Sequence, residues 1–509
     1  MKKTIVLLMI VFVVASFASA KEFEATWESL AANYKCPDWF RDAKFGIFMH
    51  WGIISAINEN RAYTGSHYGR YMYGPGEFPP DKKQSRWARD LKVWHTKHYD
   101  DPSKFGYKDF IPSFKAEKFD PDELVSFYKE CGARYIVPVA VHHDNFEMYD
   151  SSYHRWNAVK MGPKRDTIAE WKKAAVKHGL NFGVSSHLYR SPSFFQVSRG
   201  YDGADPEYAD FYNSNYDINF RKDEAWNQLW YKRTKELVDK YQPDLLYFDG
   251  ALPGTRYNKT YGLQLAAHFY NSNMKNHGGK LEAVLNLKRG PSKEAFVWDI
   301  EKGQANALQI YPWQTDTCLI GSWFNRKVEK TVFTPEVAVG NLVDIVSKNG
   351  NLLLNVGLRG DGTLPEIQKN VLREIGEWLN INGEAIYGSR PWLIYGEGPT
   401  KITGGTFKEQ KSPYTSQDFR FTTNKKDLYA IVMAIPEKQV SIKSLSTTLT
   451  LVNQVKGVSL LGSKANIKWQ RTPDALIIQI PKELPCKHAL AFKIEVDDSS
   501  RQIWKLIME

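Results

Sequence analysis

From Phe45 to about Tyr387, short apolar runs alternate with longer segments in which apolar residues recur every three or four positions. The runs are too short for helices and apolar almost throughout, which is typical of strands buried on both faces. They predict strands at residues 45–51, 135–142, 181–186, 244–249, 283–287 and 296–300.

The segments between these runs predict amphipathic helices with recognisable ends. Asp120 is expected to cap a helix that starts at Pro121 and stops at Gly132, and Asp166 to cap one that stops at Gly179. Strands that alternate with helices at this spacing form βαβ units and a parallel sheet. The number of units favours a (β/α)8-type barrel over an open dinucleotide-binding sheet, because no G-x-G-x-x-G motif follows the first strand.

The pattern changes after Pro391 and Trp392. Short β-branched runs separated by turns replace the helical periodicity, which predicts a C-terminal β-sandwich domain. The runs lie at residues 428–435, 440–445, 447–452, 467–470, 476–480 and 489–496. We therefore expect a barrel domain over residues 21–390 and a β-sandwich domain over residues 391–509.

The first 20 residues have the pattern of a secretory signal peptide. Lys2 and Lys3 precede an apolar run over residues 5–17, and Ala18-Ser19-Ala20 has the small-residue pattern of a cleavage site. The run is shorter than the roughly 20 residues that a transmembrane helix needs. The sequence therefore predicts cleavage after Ala20, export to the periplasm or the medium, and no membrane span in the mature chain.

Composition narrows the classes of partner. The net charge is +11, but the basic residues are scattered and interspersed with acids, so we expect no nucleic-acid binding. The four cysteines lie far apart and form no C-x-x-C pair, so no zinc or redox motif is present. We expect free thiols rather than disulfides.

Two long connections, residues 58–110 and 190–222, are rich in aromatic residues, which either pack the loops onto the barrel or contact a sugar.

Active sites of such barrels lie at the C-terminal ends of the strands. The polar residues that follow the predicted strands are His50, His142, His143, His187, Asp249, Lys288, Arg289 and Glu301. One interpretation is metal-assisted hydrolysis, with His50, His142, His143 and Asp249 as ligands. The other is acid/base and nucleophilic catalysis by Asp249 and Glu301, with the histidines binding hydroxyl groups. Alternation along a strand would turn His142 and His143 in different directions, which favours the second interpretation.

Several motifs occur in a fixed order over roughly residues 40–392. They are residues 43–52 (AKFGIFMHWG), 131–135 (CGARY), 142–146 (HHDNF), 247–250 (YFDG), 312–315 (PWQT), 346–355 (VSKNGNLLLN) and 382–388 (NGEAIYG). On these motifs the sequence resembles the α-L-fucosidases of glycoside hydrolase family 29. The resemblance implies an exo-acting, retaining hydrolase that releases α-linked L-fucose from a fucosylated oligosaccharide or glycoconjugate without a cofactor or metal.

The resemblance also implies roles for particular residues. Asp249 falls on the family's nucleophile, and Glu301 on the segment of its acid/base, with Asp299 as a competing acid. The residues implied to bind the sugar are His50, Trp51, His67, His142, His143, Tyr247, Arg289 and Trp323. Lys288 is the alternative to Arg289.

This sequence also departs from the family pattern. After Gly65-Ser66 it has His67-Tyr68 where many members have Glu-Trp, and it has Tyr247 instead of Trp. The departures leave open a hydrolase of a related sugar, such as an α-L-galactoside. A catalytically silent glycan-binding protein is the alternative from a different class.

Overall fold

The computed structural model describes residues 22–58, 65–76, 82–219, 221–252, 260–328 and 330–500. The predicted signal peptide, residues 1–20, lies outside the described residues. Within the described ranges, no helix combines the length and the apolar character needed to cross a membrane.

Eight parallel strands close into a barrel in chain order, which confirms the predicted (β/α)8-type fold. The strands are β1 (Phe45–His50), β2 (Tyr135–Val141), β3 (Asn181–Ser186), β4 (Leu245–Ala251), β5 (Val284–Arg289), β6 (Val297–Asp299), β7 (Trp313–Cys318) and β8 (Gly350–Gly357). The strand prediction lacked β7 and β8. Strand β7 alternates polar Gln314 and Asp316 with Trp313 and Thr315, and all four are buried, so it has no continuous apolar run.

Helices surround the barrel, and their caps follow the sequence prediction. Asp120 accepts hydrogen bonds from the backbone N–H groups of Asp122 and Glu123, Asp166 accepts one from Ala169, and Gly179 adopts the left-handed conformation. The helices are α1 (Trp27–Asn33), α2 (Asp38–Ala43), α3 (Ile53–Asn58), α4 (Tyr68–Tyr71), α5 (Lys82–His98), α6 (Pro121–Glu130), α7 (Thr167–His178), α8 (Ser191–Phe194), α9 (Ala209–Tyr212), α10 (Glu224–Tyr241), α11 (Tyr261–Asn276), α12 (Pro335–Ser347) and α13 (Glu366–Asn382).

The C-terminal region consists of two antiparallel sheets with orders β13-β16-β11-β10-β9 and β12-β15-β14, as expected of a β-sandwich. Its strands are β9 (Arg390–Glu397), β10 (Phe419–Asn424), β11 (Asp427–Val432), β12 (Gln439–Ile442), β13 (Val455–Leu460), β14 (Trp469–Arg471), β15 (Leu476–Gln479) and β16 (Leu490–Val496). The predicted strand at residues 447–452 is wrong. That segment forms bends and a turn instead of a strand, and its first four residues are exposed.

Three apolar clusters organise the molecule. The largest fills the space between the barrel and its helices, and another lies between the two C-terminal sheets around Trp392, Phe421 and Phe492. A third cluster fills the barrel interior, and its members Phe48 and Tyr247 form a floor below the C-terminal ends of the strands. All four cysteines are free thiols. Because this floor is packed, polar side chains at the strand ends are held above it at the mouth of the barrel.

The two long aromatic connections pack mainly against each other and against the barrel. The hydroxyl of Tyr73 donates to that of Tyr212 at 3.1 Å, and the Tyr68 ring lies 5.6 Å from that of Phe110. These rings are buried, so the packing interpretation holds for them. Phe194, a buried ring of the second connection, reaches the barrel mouth and lies 5.8 Å from the ring of His143.

Candidate active site

Asp249 lies on a β-bulge at the end of β4. Phe248 pairs with Leu287 and Ala251 with Arg289, so Asp249 and Gly250 together stand opposite the single residue Lys288. Gly250 has φ +141°, a conformation that an L side chain adopts only with strain. Bulges of this kind re-aim a side chain, and here the bulge brings the Asp249 carboxylate beside the Lys288 ammonium.

Lys288 joins the two candidate catalytic carboxylates. Its Nζ lies 3.2 Å from Oδ1 of Asp249 and 2.8 Å from Oε2 of Glu301. Those two oxygens are therefore at most about 6 Å apart, less than the roughly 6.5–9.5 Å between the carboxyl groups of inverting glycosidases. Each of the two carboxyl side chains is 20% exposed, so both are open to a ligand at the mouth.

The assignment of Arg289 to the sugar site is corrected by this arrangement. Successive side chains of a strand point to opposite faces, and β5 turns Lys288 into the barrel mouth while Arg289 is exposed. Lys288, the alternative left open by the sequence, occupies the position.

The pKa values of the two carboxyl groups move in opposite directions. Burial raises the pKa of Asp249, but Lys288, His143 and His187 outweigh burial and hold it well below its usual range. Burial also raises the pKa of Glu301, and there the nearby Asp316 and Asp249 carboxylates add to burial against the opposing effect of Lys288, so the net pKa is raised. An ionised Asp249 beside a protonated Glu301 is the pair that a nucleophile and a general acid require.

Two histidines flank the other oxygen of Asp249. Nε2 of His143 lies 3.4 Å and Nδ1 of His187 3.6 Å from Oδ2. Nδ1 of His143 is 2.8 Å from the backbone carbonyl of His187, which fixes the ring. Burial lowers the pKa of His187 in spite of Asp249. The sequence placed His187 at a strand end but gave it no role.

His142 and His187 have unused hydrogen-bonding capacity. Nδ1 of His142 and Nε2 of His187 are buried without a hydrogen-bond partner among the described residues. Burial and the neighbouring histidines lower the pKa of His142 well below its usual value, so its ring is neutral. Buried polar atoms without a partner cost free energy, and a ligand with several hydroxyl groups would satisfy them.

His50 is oriented by Asn355 on β8. The Asn355 amide donates to the carbonyl of Trp323 at 2.8 Å, so its Oδ1 faces His50 and accepts from the backbone N–H at 3.2 Å and from Nδ1 at 2.7 Å. Burial lowers the pKa of His50 well below its usual value, and a neutral ring with its proton on Nδ1 leaves Nε2 as an acceptor. The half-buried Trp323 ring lies 5.0 Å from that of His50.

Among the residues that the structure describes, two sets of side chains have the donor spacing of a metal site. In each of the triads His50/His142/His187 and His143/His187/Asp249, the donor atoms lie within 4.8 Å of one another. A cation in the second triad would compete with the ammonium of Lys288, which already contacts Asp249. The arrangement therefore favours the carboxylate interpretation over the metal interpretation.

Two further residues assigned to sugar binding lie elsewhere. Trp51 follows the last residue of β1 and points away from the mouth; its Nε1 donates to the carbonyl of Arg359 at 2.8 Å, and its ring packs on Phe119 at 4.5 Å. Tyr247 is fully buried beneath the site, where it supports other residues instead of contacting a ligand. His67 is exposed at the rim, 6.3 Å from the ring of His143, and its contact with a sugar stays a prediction.

Comparison with protein families identifies the family of the chain. The model of the α-L-fucosidase family matches residues 10–384, and that of the α-L-fucosidase C-terminal domain matches residues 410–495. The chain belongs to the α-L-fucosidase family. It is therefore a glycoside hydrolase of the α-L-fucosidase type, and the silent glycan-binding alternative is not favoured.

Similar fucosidases span nearly the whole chain. The tissue α-L-fucosidase of Mus musculus is 28% identical over 491 residues, covering 93% of this chain and 95% of that protein. The human tissue enzyme is 29% identical over 478 residues, covering 91% of this chain and 89% of that protein. A crystal structure of a Thermotoga maritima α-fucosidase in complex with fucose has a TM-score of 0.68 at 28% identity, covering 93% of this chain and all of that one.

The sequence prediction missed part of this fucosidase site. Asp316 was not considered because β7 was not recognised as a strand, although it directly follows the quoted motif at residues 312–315. Asn355 lay within a quoted motif, but its role depends on the neighbouring strand, which a single sequence does not show. The structure brings together Asp249, Glu301, Lys288 and the four histidines at positions 50, 142, 143 and 187.

Proposed function

We propose that the chain removes α-linked L-fucose from the ends of fucosylated glycans by a double displacement, with Asp249 as nucleophile and Glu301 as acid/base. The observation that carries the proposal is the position of Lys288. Its ammonium contacts both carboxyl groups, whose pKa values are shifted in opposite directions. Membership of the α-L-fucosidase family supports the choice of sugar.

In the first half-reaction an oxygen of Asp249 attacks the anomeric carbon. The glycosidic C–O bond breaks, and Glu301 gives its proton to the leaving oxygen, so the aglycone departs as an alcohol. The product is a glycosyl ester of Asp249. The negative charge of the cluster has thereby moved from Asp249 to Glu301, and Lys288 already touches both positions.

In the second half-reaction Glu301 acts as a base. It takes a proton from water, the water oxygen attacks the anomeric carbon, and the ester bond to Asp249 breaks. The sugar is released with its original anomeric configuration, and both carboxyl groups return to their starting state. Lys288 contacts both carboxyl groups, so the same ammonium neutralises the charge of Asp249 before the first step and that of Glu301 before the second.

The buried histidines supply the contacts to the sugar. His50, His142 and His187 have ring nitrogens that face the mouth or are unpaired, and hydroxyl groups of a fucosyl residue can satisfy them. Trp323 beside His50 offers an apolar face to the methyl group of the sugar. These contacts position the anomeric carbon over Asp249.

A chromogenic aryl α-L-fucoside and the matching aryl α-L-galactoside test the proposal together. We expect preferred hydrolysis of the fucoside, no loss of activity in EDTA, and release of the α-anomer first, followed by NMR. Preferred cleavage of the galactoside would support the related-sugar alternative. Loss of activity in EDTA with recovery on added metal would support the metal interpretation, and release of the β-anomer would rule out the ester intermediate.

We also propose that the chain is exported and acts outside the cytoplasm. Support comes from Lys2, Lys3, the apolar run over residues 5–17 and the small residues that end at Ala20. Mass spectrometry of the protein isolated from its producing cells should show Lys21 at the N-terminus. A mature protein that still begins at Met1 would contradict this.

A further inference from the structure

A second pair of carboxyl groups lies directly beneath Asp249 and Glu301. Asp299 ends β6 and Asp316 lies on β7, and their side chains are 0% and 2% exposed. Both carboxyl groups contact the hydroxyl of Tyr247 and the ammonium of Lys288, so their Oδ2 atoms are at most about 6 Å apart. The Tyr247 hydroxyl lies 3.1 Å from Oδ2 of Asp299 and 2.9 Å from Oδ2 of Asp316. The mechanism above uses neither aspartate.

The lower pair has too few positive partners for both of its members to be ionised. Lys288 Nζ lies 3.9 Å from Asp299 and 3.4 Å from Asp316, but the same ammonium also serves Asp249 and Glu301. Tyr247 has one proton to donate. Two adjacent ionised carboxylates sealed from water repel each other strongly, and a shared proton removes that repulsion.

We propose that Asp299 and Asp316 share one proton and act together as one fixed negative charge that, beside Lys288, keeps Glu301 protonated before the sugar is cleaved. The proposal rests on the roles of Asp249 and Glu301 proposed above. Neither lower aspartate touches the substrate, so both are positioning residues.

The surroundings of Glu301 account for the effect of this charge. Among the described residues, the charged groups that act on Glu301 are Lys288 from β5, Asp316 from β7 and Asp249 from β4, and Asp299 also contacts Lys288. His143 and His187 face Asp249 from the ends of β2 and β3. A fixed negative charge disfavours ionisation of Glu301, whereas Lys288 favours it. Burial and Asp316 raise the pKa of Asp299, as expected of a carboxyl group that shares a proton with its neighbour.

A shared proton makes the two single variants behave unlike the double variant. In Asp299→Asn the remaining Asp316 keeps the charge. In Asp316→Asn the remaining Asp299 loses its carboxylate neighbour and ionises in its place. Each single variant therefore keeps one negative charge, whereas Asp299→Asn/Asp316→Asn has none. Loss of that charge lowers the pKa of Glu301, because the ammonium of Lys288 is then less neutralised.

The test is the pH dependence of kcat/KM on a fucoside with a poor leaving group. The alkaline limb, which reports loss of the Glu301 proton, should move by less than about 0.3 pH unit in either single variant and down by about 1 unit in the double variant. Tyr247→Phe is the matched control, because it removes a hydrogen bond from the same place without changing the charge. It should lower the Tm and leave the alkaline limb in place.

Two results would overturn the proposal. If Asp316→Asn alone moves the limb as far as the double variant, the carboxyl groups do not share a proton. If the folded double variant keeps the wild-type limb, the pair has no electrostatic effect on Glu301.

An infrared measurement remains decisive if the double variant does not fold. In a Glu301→Gln background at neutral pH, the spectrum should contain a protonated-carboxyl band that disappears in both single variants. Its persistence in either one would refute the sharing. This readout does not depend on the reaction, so it stands even if Asp249→Ala remains active and the proposed function fails.

Discussion

At the contact between the barrel and the C-terminal sheet, two cations surround one carboxylate, whereas at the barrel mouth one cation is surrounded by four carboxyl groups. Asp344 on α12 lies 2.7 Å from Lys348 Nζ and 2.6 Å from Arg420 Nε, and its side chain is 0% exposed. Lys288 faces Asp249, Glu301, Asp299 and Asp316 within 3.9 Å.

The two clusters behave differently because of this balance. With two cations beside it, the Asp344 carboxylate serves as a fixed ionic link between the domains. With one cation among four carboxyl groups, some members of the mouth cluster must hold protons at neutral pH. A carboxyl group that must hold a proton is available as a general acid. The small number of cations at the barrel mouth therefore makes this cluster suitable for acid/base catalysis.

Asp249→Ala should have the largest effect on activity. Removal of the nucleophile should lower kcat on an aryl fucoside by on the order of 10⁴-fold or more, while Lys288 keeps three carboxyl partners and the fold remains intact. Azide should restore part of the turnover by occupying the vacated space, and the product should be a glycosyl azide of inverted configuration. A variant with near wild-type kcat would show that Asp249 is not the nucleophile.

Glu301→Gln should have the next largest effect, and the effect should depend on the leaving group. General acid catalysis contributes roughly 10²–10⁴-fold, so poor leaving groups should slow by that factor and good ones much less in the first step. Because the pKa of Glu301 is raised, wild-type activity should persist above the usual carboxyl range and fall as Glu301 deprotonates. That alkaline limb should vanish in the variant, measured as kcat/KM against pH.

The acidic limb of the same profile reports protonation of Asp249, so there activity is lost as the pH falls. The pKa of Asp249 lies well below its usual value, so activity should fall only at strongly acidic pH. Asp299→Asn tests the competing acid; Asp299 is fully buried, so this variant should retain general acid catalysis. If Glu301→Gln keeps full activity on poor leaving groups while Asp299→Asn is inactive, the general acid is Asp299 and not Glu301.

Asp344→Asn should affect stability instead of catalysis. Breaking a buried ion pair leaves Lys348 and Arg420 without their partner, which should lower the free energy of unfolding by about 3–5 kcal/mol in urea titrations. The folded variant should keep the wild-type pH profile. The matched control is Glu366→Gln, whose exposed pair with Arg373 should contribute less than about 1 kcal/mol. A shifted pH profile in Asp344→Asn would show that this cluster also acts on the catalytic groups, which would contradict the difference between the two clusters.

His142→Ala should have the smallest effect of this series. Loss of one hydrogen bond to a sugar hydroxyl should cost about 1–3 kcal/mol in kcat/KM, with unchanged limbs of the pH profile because the neutral ring carries no charge. His143→Ala should cost at least as much, since His143 also contacts Asp249. His268→Ala, in a surface pair with Asp239, is the control and should leave kcat/KM unchanged.

The sequence by itself determined the barrel, the C-terminal β domain and most of the residues at the mouth. Strand periodicity and helix caps are local properties, and residues such as Asp249 and His50 follow directly from the rule that barrel sites lie at strand ends. The caps at Asp120 and Asp166 hold for the same reason, because each depends on backbone groups a few residues away.

Only the tertiary structure decided which side chains at those ends face inwards. The bulge at Asp249 selects Lys288 over Arg289, and the direction of Trp51 depends on packing against Phe119 from another segment. The pairing of Asp299 with Asp316 joins neighbouring strands, and its charge balance depends on burial by the whole barrel. Long-range pairing and burial of charge are collective properties of the fold, and no single segment of the sequence contains them.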